Sequence, residues 1–203
     1  DLTAFTEAKP ATEVLARYDD GWANFLFVGR LAPNKRQEDV IRVFAWYHRY
    51  VDAASRLLLV GAAPELDGYR EDLVEVARSL GVEECVVFAG KVSFEELVAY
   101  YRLADLFVCM SEHEGFCVPL VEAMFHELPV IARAEGAIPE TLGEAGVLVH
   151  GRHVPKIAET ARLLLSDRQL RADVVSRQRG RLSEFTPERF TSALERFVGG
   201  LSA

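Results

Sequence analysis

Two short stretches hold residue types that could act on a charged, hydroxyl-rich ligand. The first is Gly29-Arg30-Leu31-Ala32-Pro33-Asn34-Lys35, with its two cations five residues apart behind a glycine. Arginine can fork across two phosphate oxygens and lysine adds a compact charge, so this loop could hold a diphosphate. Taken alone, it reads first as a solvated turn with two surface cations. The second stretch runs Ser111-Glu112-His113-Glu114-Gly115-Phe116-Cys117-Val118-Pro119-Leu120-Val121-Glu122. Pro119 suits the first position of a helix, and the free N–H groups of a helix start attract an anion. Glu114 falls just before that helix and Glu122 is expected in its first turn. A carboxylate would repel a diphosphate, so both glutamates make sense as acceptors for the hydroxyls of a sugar or a ribose. Acidic side chains near a helix start also have a purely structural use, complementing the macrodipole.

Other chemistries lack their marks. No GxGxxG follows the first strand, and GxxxxGK[ST], HExxH and GxSxG are all missing from the sequence. Glu112, His113, Glu114 and Cys117 could be drawn as metal ligands, but nothing elsewhere in the sequence points to further partners, so no metal is expected. Cys117 reads as a small neutral loop residue, and Cys85 and Cys109 as fillers of apolar strands. Arg177, Arg179 and Arg181 read as a solvated helix face.

The elements that must position these loops are legible as short continuous apolar runs. They are Phe25–Val28, Leu57–Val60, Val86–Phe88, Leu106–Val108, Val130-Ile131 and Val147–Val149. Runs without alternation suit strands covered on both faces, as in a parallel sheet. Between them lie helical stripes through Val40, Val43, Phe44, Tyr47 and Val51, through Phe94, Leu97, Val98 and Tyr101, and through Val121, Met124, Phe125 and Leu128. Ser93 and Glu96 make a capping box for the second of these. After Val149 only helices are expected: one through Ile157, Ala161, Leu164 and Leu165, another from Asp167, and a last from Thr186-Pro187 through Phe190, Leu194 and Phe197. Strand–helix alternation predicts an α/β, Rossmann-like, doubly wound parallel sheet of about six strands with C-terminal helices. In such folds ligands sit beyond the carboxyl ends of the strands, which is where both stretches fall.

Composition sets the outer bounds. The chain has 203 residues, 50% apolar and 27% charged, enough for one large packed domain. Its net charge of −8 disfavours a general nucleic-acid or anionic-membrane surface. The 3 cysteines form no CxxC and suit a reducing, cytoplasmic setting. No apolar run is long enough to span a membrane, so direct insertion by this domain is not expected. The sequence opens on Asp1 rather than Met and reads as part of a longer polypeptide. Residues 1–20, with Pro10 and Tyr18-Asp19-Asp20-Gly21, read as an entry segment, and 21–203 as the domain itself.

The two stretches together, Arg30 and Lys35 in GRLAPNK and then Glu114 and Glu122 with seven residues between them in EGFCVPLVE, resemble the nucleotide-sugar half of retaining glycosyltransferases of family 4. The likeness extends through Pro129–Ala132 and Ile138-Pro139-Glu140, and covers roughly Asp1 to Val149. It implies the second half of a GT-B fold, two Rossmann-like domains facing a cleft, with the N-terminal acceptor domain outside this chain. It further implies that Arg30 and Lys35, with Gly29, hold the donor diphosphate. Glu114 would bond the sugar hydroxyls with main-chain N–H groups around Gly115, Phe116, Cys117 and Val118, Glu122 the ribose, and the loop at Lys91-Val92 would face the base. Arg30, Lys35 and Glu114 would be the catalytic groups. The implied activity is metal-independent transfer of a sugar, such as a hexose, from a nucleoside-diphosphate sugar to an acceptor with retention, in glycan biosynthesis. The domain by itself would be inactive, and any membrane association would come through the other domain. A non-catalytic nucleotide-sugar-binding module and a nucleotide-sugar epimerase of the same fold are the alternatives. Two departures stand out: Cys117 where the family most often has glycine, and His126-Glu127-Leu128 before Pro129, which is expected to affect packing away from the chemistry.

Overall fold

The computed structural model describes residues 2–63 and 68–185. Its helices and strands are α1 (Thr3–Glu7), α2 (Thr12–Tyr18), β1 (Ala23–Val28), α3 (Gln37–Tyr50), β2 (Ser55–Val60), α4 (Tyr69–Ser79), β3 (Val86–Gly90), α5 (Phe94–Leu103), β4 (Leu106–Cys109), α6 (Val118–Phe125), β5 (Val130–Arg133), α7 (Ile138–Leu142), β6 (Val147–Val149), α8 (Val154–Ser166) and α9 (Arg168–Leu182). All six expected strands form, and they build one parallel sheet in the order β3-β2-β1-β4-β5-β6. This is the doubly wound α/β, Rossmann-like arrangement, with the order reversing between β1 and β4. The helix from Thr186-Pro187 lies outside the described residues.

Both faces of the sheet are covered, which is why the central strands carry apolar residues without alternation. Phe25, Phe27, Leu57 and Leu59 pack toward α3, α4 and α8, while Leu26, Leu58, Phe107 and Cys109 pack toward α5 and α6. The capping box at α5 is complete: Ser93 Oγ accepts from the Glu96 N–H at 3.2 Å and Glu96 Oε2 accepts from the Ser93 N–H at 2.7 Å. Helix α9 begins behind Asp167, whose Oδ1 accepts from the N–H groups of Gln169 and Leu170. No helix among the described residues is long and apolar enough to cross a membrane.

Three readings of the sequence need revision. The entry segment is not a free linker: Phe5, Val14 and Tyr18 are buried against α5 and α6, and the Ala11 N–H donates to the Glu95 carbonyl at 3.0 Å. Their apolar spacing was too brief to show a helical period. Arg181 is no solvated side chain. It donates to the carbonyls of Thr141 and Glu140 and lies 4.8 Å from the Phe185 ring centroid, tying α9 to α7. Cys85 sits in a 3₁₀ turn, Glu83–Cys85, ahead of β3 rather than within the strand.

An aromatic cluster joins the entry segment to the end of α6. The His126 ring stacks on Tyr101 with centroids 5.0 Å apart and an interplanar angle of 2°, and Phe5 meets it edge-on at 5.2 Å. His126 Nε2 is buried with no hydrogen-bond partner among the described residues. Burial, aided by Arg102, pulls its pKa down to about 4 from 6.5. The folded state therefore holds a neutral ring while the unfolded chain takes up a proton below pH 6.5. The contribution is whole above 6.5 and is lost as the pH falls toward about 4.

Two predictions follow from this packing. Urea unfolding of His126→Phe, which can keep the ring stack, is expected to show a shallower loss of stability between pH 6.5 and 4 than the parent; an equally steep loss would remove His126 as its source. At Gly61 an added Cβ would lie 2.0 Å from the Gly29 carbonyl oxygen, a backbone atom that cannot turn aside. Gly61→Ala is therefore expected to destabilise by about 1–3 kcal/mol, read from the urea midpoint.

Candidate functional site

The β1 loop and the β4 loop meet because their strands are neighbours: Phe25 pairs with Leu106 and Leu26 with Phe107. After β1 the chain passes Gly29 and Arg30 and turns through a 3₁₀ segment, Pro33–Lys35. Arg36 then takes a left-handed conformation, φ 54°, and opens α3. After β4 the chain runs through Ser111–Phe116 to Cys117, the N-cap of α6, also left-handed at φ 55°. The Glu112 N–H donates to the Asn34 carbonyl at 2.9 Å, joining the loops by backbone. Their side chains close the contact, with Lys35 Nζ donating to Glu114 Oε2 at 2.6 Å. Both are largely shielded, their side chains 20% and 10% exposed.

Of the residues singled out in the sequence, Lys35, Glu114 and Cys117 are thus brought together. Arg30 stands exposed on the same loop, and its guanidinium makes no hydrogen bond or ion pair to a described residue. Its carbonyl accepts from the buried Gln37 Nε2 at 3.0 Å, which fixes the backbone beneath it. Gly115, Phe116 and Val118 are exposed on the α6 side, where Phe116 packs edge-on to Phe185 at 5.3 Å. Val92 lies elsewhere along the sheet edge. With Lys91, Arg17, Tyr18 and Glu96 it lines a groove of about 370 Å³ between α2 and α5.

Glu122 departs from expectation in its place along the helix. Helix α6 begins at Val118, so Glu122 falls in the second turn and has no macrodipole role at the helix start. Its Oε2 accepts from the buried Tyr101 hydroxyl at 2.7 Å. Burial raises its pKa above the usual carboxylate range, against the Tyr101 hydrogen bond, which lowers it. Since His126 stacks on Tyr101, the His126-Glu127-Leu128 departure sits one ring away from a candidate ligand-binding carboxylate rather than far from it.

The metal set considered from sequence is split by the fold. Glu112 faces Arg36, Arg133 and Arg152, and His113 is exposed. Glu114 and Cys117 instead meet Cys109, the last residue of β4. A hydrogen bond with Cys109, burial and the Glu114 charge all push the Cys117 thiol up, so it carries no nucleophile's signature.

Sequence reasoning missed the residues that hold the loops in place. Gly136 is left-handed at φ 58°, and a Cβ there would lie 2.6 Å from the Glu114 carbonyl oxygen. The neighbouring Ala137 N–H donates to that same oxygen at 3.2 Å. Asp39, 3% exposed, gathers Arg36 and Arg42, and Arg152 reaches it from beyond β6. A glycine at a strand-to-helix turn gave a local signal for Gly136; nothing local could have joined Arg152 to Glu112, 40 residues away.

The model of the family "Glycosyl transferases group 1" matches residues 17–181. Over 150 residues the chain is 35% identical to the GDP-mannose-dependent alpha-(1-6)-phosphatidylinositol monomannoside mannosyltransferase of Mycobacterium tuberculosis, covering 70% of this chain and 38% of that protein. It is 34% identical to the N-acetyl-alpha-D-glucosaminyl L-malate synthase of Bacillus anthracis, covering 79% of this chain and 41% of the other. The chain therefore spans less than half the length of these curated relatives. Among solved structures, the C-terminal domain of the glycosyl transferase group 1 protein LpcC from Francisella tularensis superposes with TM-score 0.73 at 25% identity, over 89% of this chain and 96% of that one. Anabaena HepE, solved with UDP and glucose, shares the fold with TM-score 0.77 at 22% identity, over 98% of this chain and 54% of the other. The chain belongs to the group 1 glycosyl transferases and has the fold of a GT-B glycosyltransferase domain.

Proposed function

We propose that this chain is the donor-binding domain of a retaining glycosyltransferase that moves a sugar from a nucleoside-diphosphate sugar to an acceptor held by a second domain. The observation that carries the reading is the Lys35–Glu114 contact of 2.6 Å across the point where the strand order reverses. Without donor, the ammonium and the carboxylate satisfy each other. A diphosphate, with two or more negative charges, is the stronger partner for Lys35. Its arrival would draw the ammonium away and leave Glu114 free to accept hydroxyl groups from the sugar. Arg30, which pairs with no described residue, supplies the second cation, and its planar fork suits two phosphate oxygens. The free N–H groups at the start of α6, around Gly115 to Val118, complete the anion-binding wall.

Cleavage of the glycosidic bond places growing charge on the leaving diphosphate. Cations already fixed there stabilise the transition state more than the ground state, without a metal in the step. Glu114 faces the opposite charge, the positive character developing at the anomeric carbon. Glu122, held by Tyr101, is assigned to the ribose hydroxyls, and the backbone around Val92 to the base. The mannosyltransferase relative supports transfer over epimerisation. Transfer needs both reactants held in register, so the 203-residue chain alone is expected to bind donor without turnover.

Calorimetry with UDP-, GDP- and ADP-sugars tests this directly. Arg30→Ala and Lys35→Ala are each expected to weaken the best ligand by roughly 10- to 100-fold, the cost of one charge-assisted contact, with the melting temperature of the free protein unchanged in Arg30→Ala and lowered in Lys35→Ala, which leaves the shielded Glu114 carboxylate without its cation. Unaltered affinity in both variants would refute the assignment. Glu114→Gln separates the two halves of the ligand. It removes the competitor for Lys35, so the free nucleoside diphosphate should bind as well or better, while the added affinity contributed by the sugar shrinks.

A further inference from the structure

The β4 loop carries a second constellation beneath the donor-facing surface. Cys109 ends β4, Cys117 begins α6, and Glu114 lies between them; one ligand atom from each falls within 4.8 Å of the other two. Cys109 and Cys117 are 2% and 8% exposed, and the Glu114 side chain 10%. Ligands around a tetrahedral zinc ion stand about 3.5–4 Å apart, so the three need close in by little. Each is set by a different element, a strand end, a loop and a helix cap, which fixes their directions before any ion arrives.

We propose that Cys109, Glu114 and Cys117 form a binding site for a thiophilic divalent cation of the zinc class. Two sulfur ligands and one carboxylate select such an ion over magnesium or calcium, which favour oxygen. Charge supports the exchange. Two thiols surrender two protons for one divalent ion, so the net charge of the cluster is unchanged and Lys35 need not leave. Lys35 occupies Glu114 Oε2, and no described residue bonds Oε1, so the carboxylate keeps one oxygen for an ion while the lysine stays. Ser111 Oγ, buried 3.4 Å from Cys109 Sγ, can turn its hydroxyl to donate to the thiolate once the proton has gone. Three protein ligands leave a fourth position for solvent. An ion on Glu114 takes one of the two carboxylate oxygens that sugar hydroxyls would use and withdraws charge from the other, a point that rests on the donor-binding reading of Glu114, so occupancy weakens donor binding.

Reduced, metal-free protein titrated with Cd²⁺ tests the site through the thiolate-to-cadmium charge-transfer absorption. One equivalent is expected to develop the band in the parent and in Cys85→Ser, and the band is expected to be lost in Cys109→Ser and in Cys117→Gly. Glycine suits the left-handed backbone at position 117, so that variant keeps the fold, and circular dichroism checks it. Glu114→Gln should retain the band with affinity lowered by about tenfold. A parent protein without the band, or a band abolished by Cys85→Ser, would overturn the proposal. Saturating Cd²⁺ should also weaken binding of whichever nucleotide sugar raises the melting temperature, in the parent and not in Cys109→Ser. A full band with donor affinity unchanged would leave the ion site standing and overturn its competition with the donor.

Discussion

Everything at the candidate site depends on β1 and β4 lying side by side. These strands are separated by two complete strand–helix units in sequence, yet they are neighbours in the sheet because the winding reverses between them. Right-handed crossovers on either side then carry the following helices to opposite faces, and the two loops are left facing each other across a crevice. The Lys35–Glu114 pair spans that crevice. An ion pair this shielded is held by the backbone that delivers it and is not itself the source of the arrangement, since desolvation offsets much of its attraction.

Backbone strain and close approach supply the delivery. Arg36 and Cys117 both adopt left-handed conformations at the residue that opens a helix, in α3 and α6 respectively. Neither is glycine, so each position costs about 1 kcal/mol or more that the surrounding packing must offset. Both flank the Lys35–Glu114 contact. A glycine at the position of Cys117 would adopt this φ angle without strain. A cysteine there accepts the strain and places a thiol against Cys109. Gly61 and Gly136 do the complementary work, letting one backbone approach another where a side chain would intrude.

A ring of charge surrounds the crevice. Glu112 meets Arg36, Arg133 and Arg152, while Asp39 draws Arg36, Arg42 and Arg152 inward. Three loops at the carboxyl edge are thereby tied to α3. Within this network each described cation near the crevice has an acidic partner except Arg30. A chain of net charge −8 can therefore still present local positive potential at one place, because the acids beside the crevice, Asp39, Glu112 and Glu114, are paired with neighbouring cations.

The sequence by itself determined the elements. Six apolar runs became six strands, since a strand buried on both faces must be apolar along its length, and the Ser93–Glu96 box marked the start of α5 because capping is a contact across one turn. It also placed both candidate loops on the correct edge, as strands that all run one way put their following loops at one end. Pairings between distant residues were decided only by the tertiary structure. Glu122 turned to Tyr101, Cys109 came to Cys117, Arg181 folded onto α7, and the entry helices α1 and α2 packed against the core. Such contacts depend on which elements become neighbours. No periodicity within a single element encodes that choice; it is set by the burial and chain closure of the whole sheet.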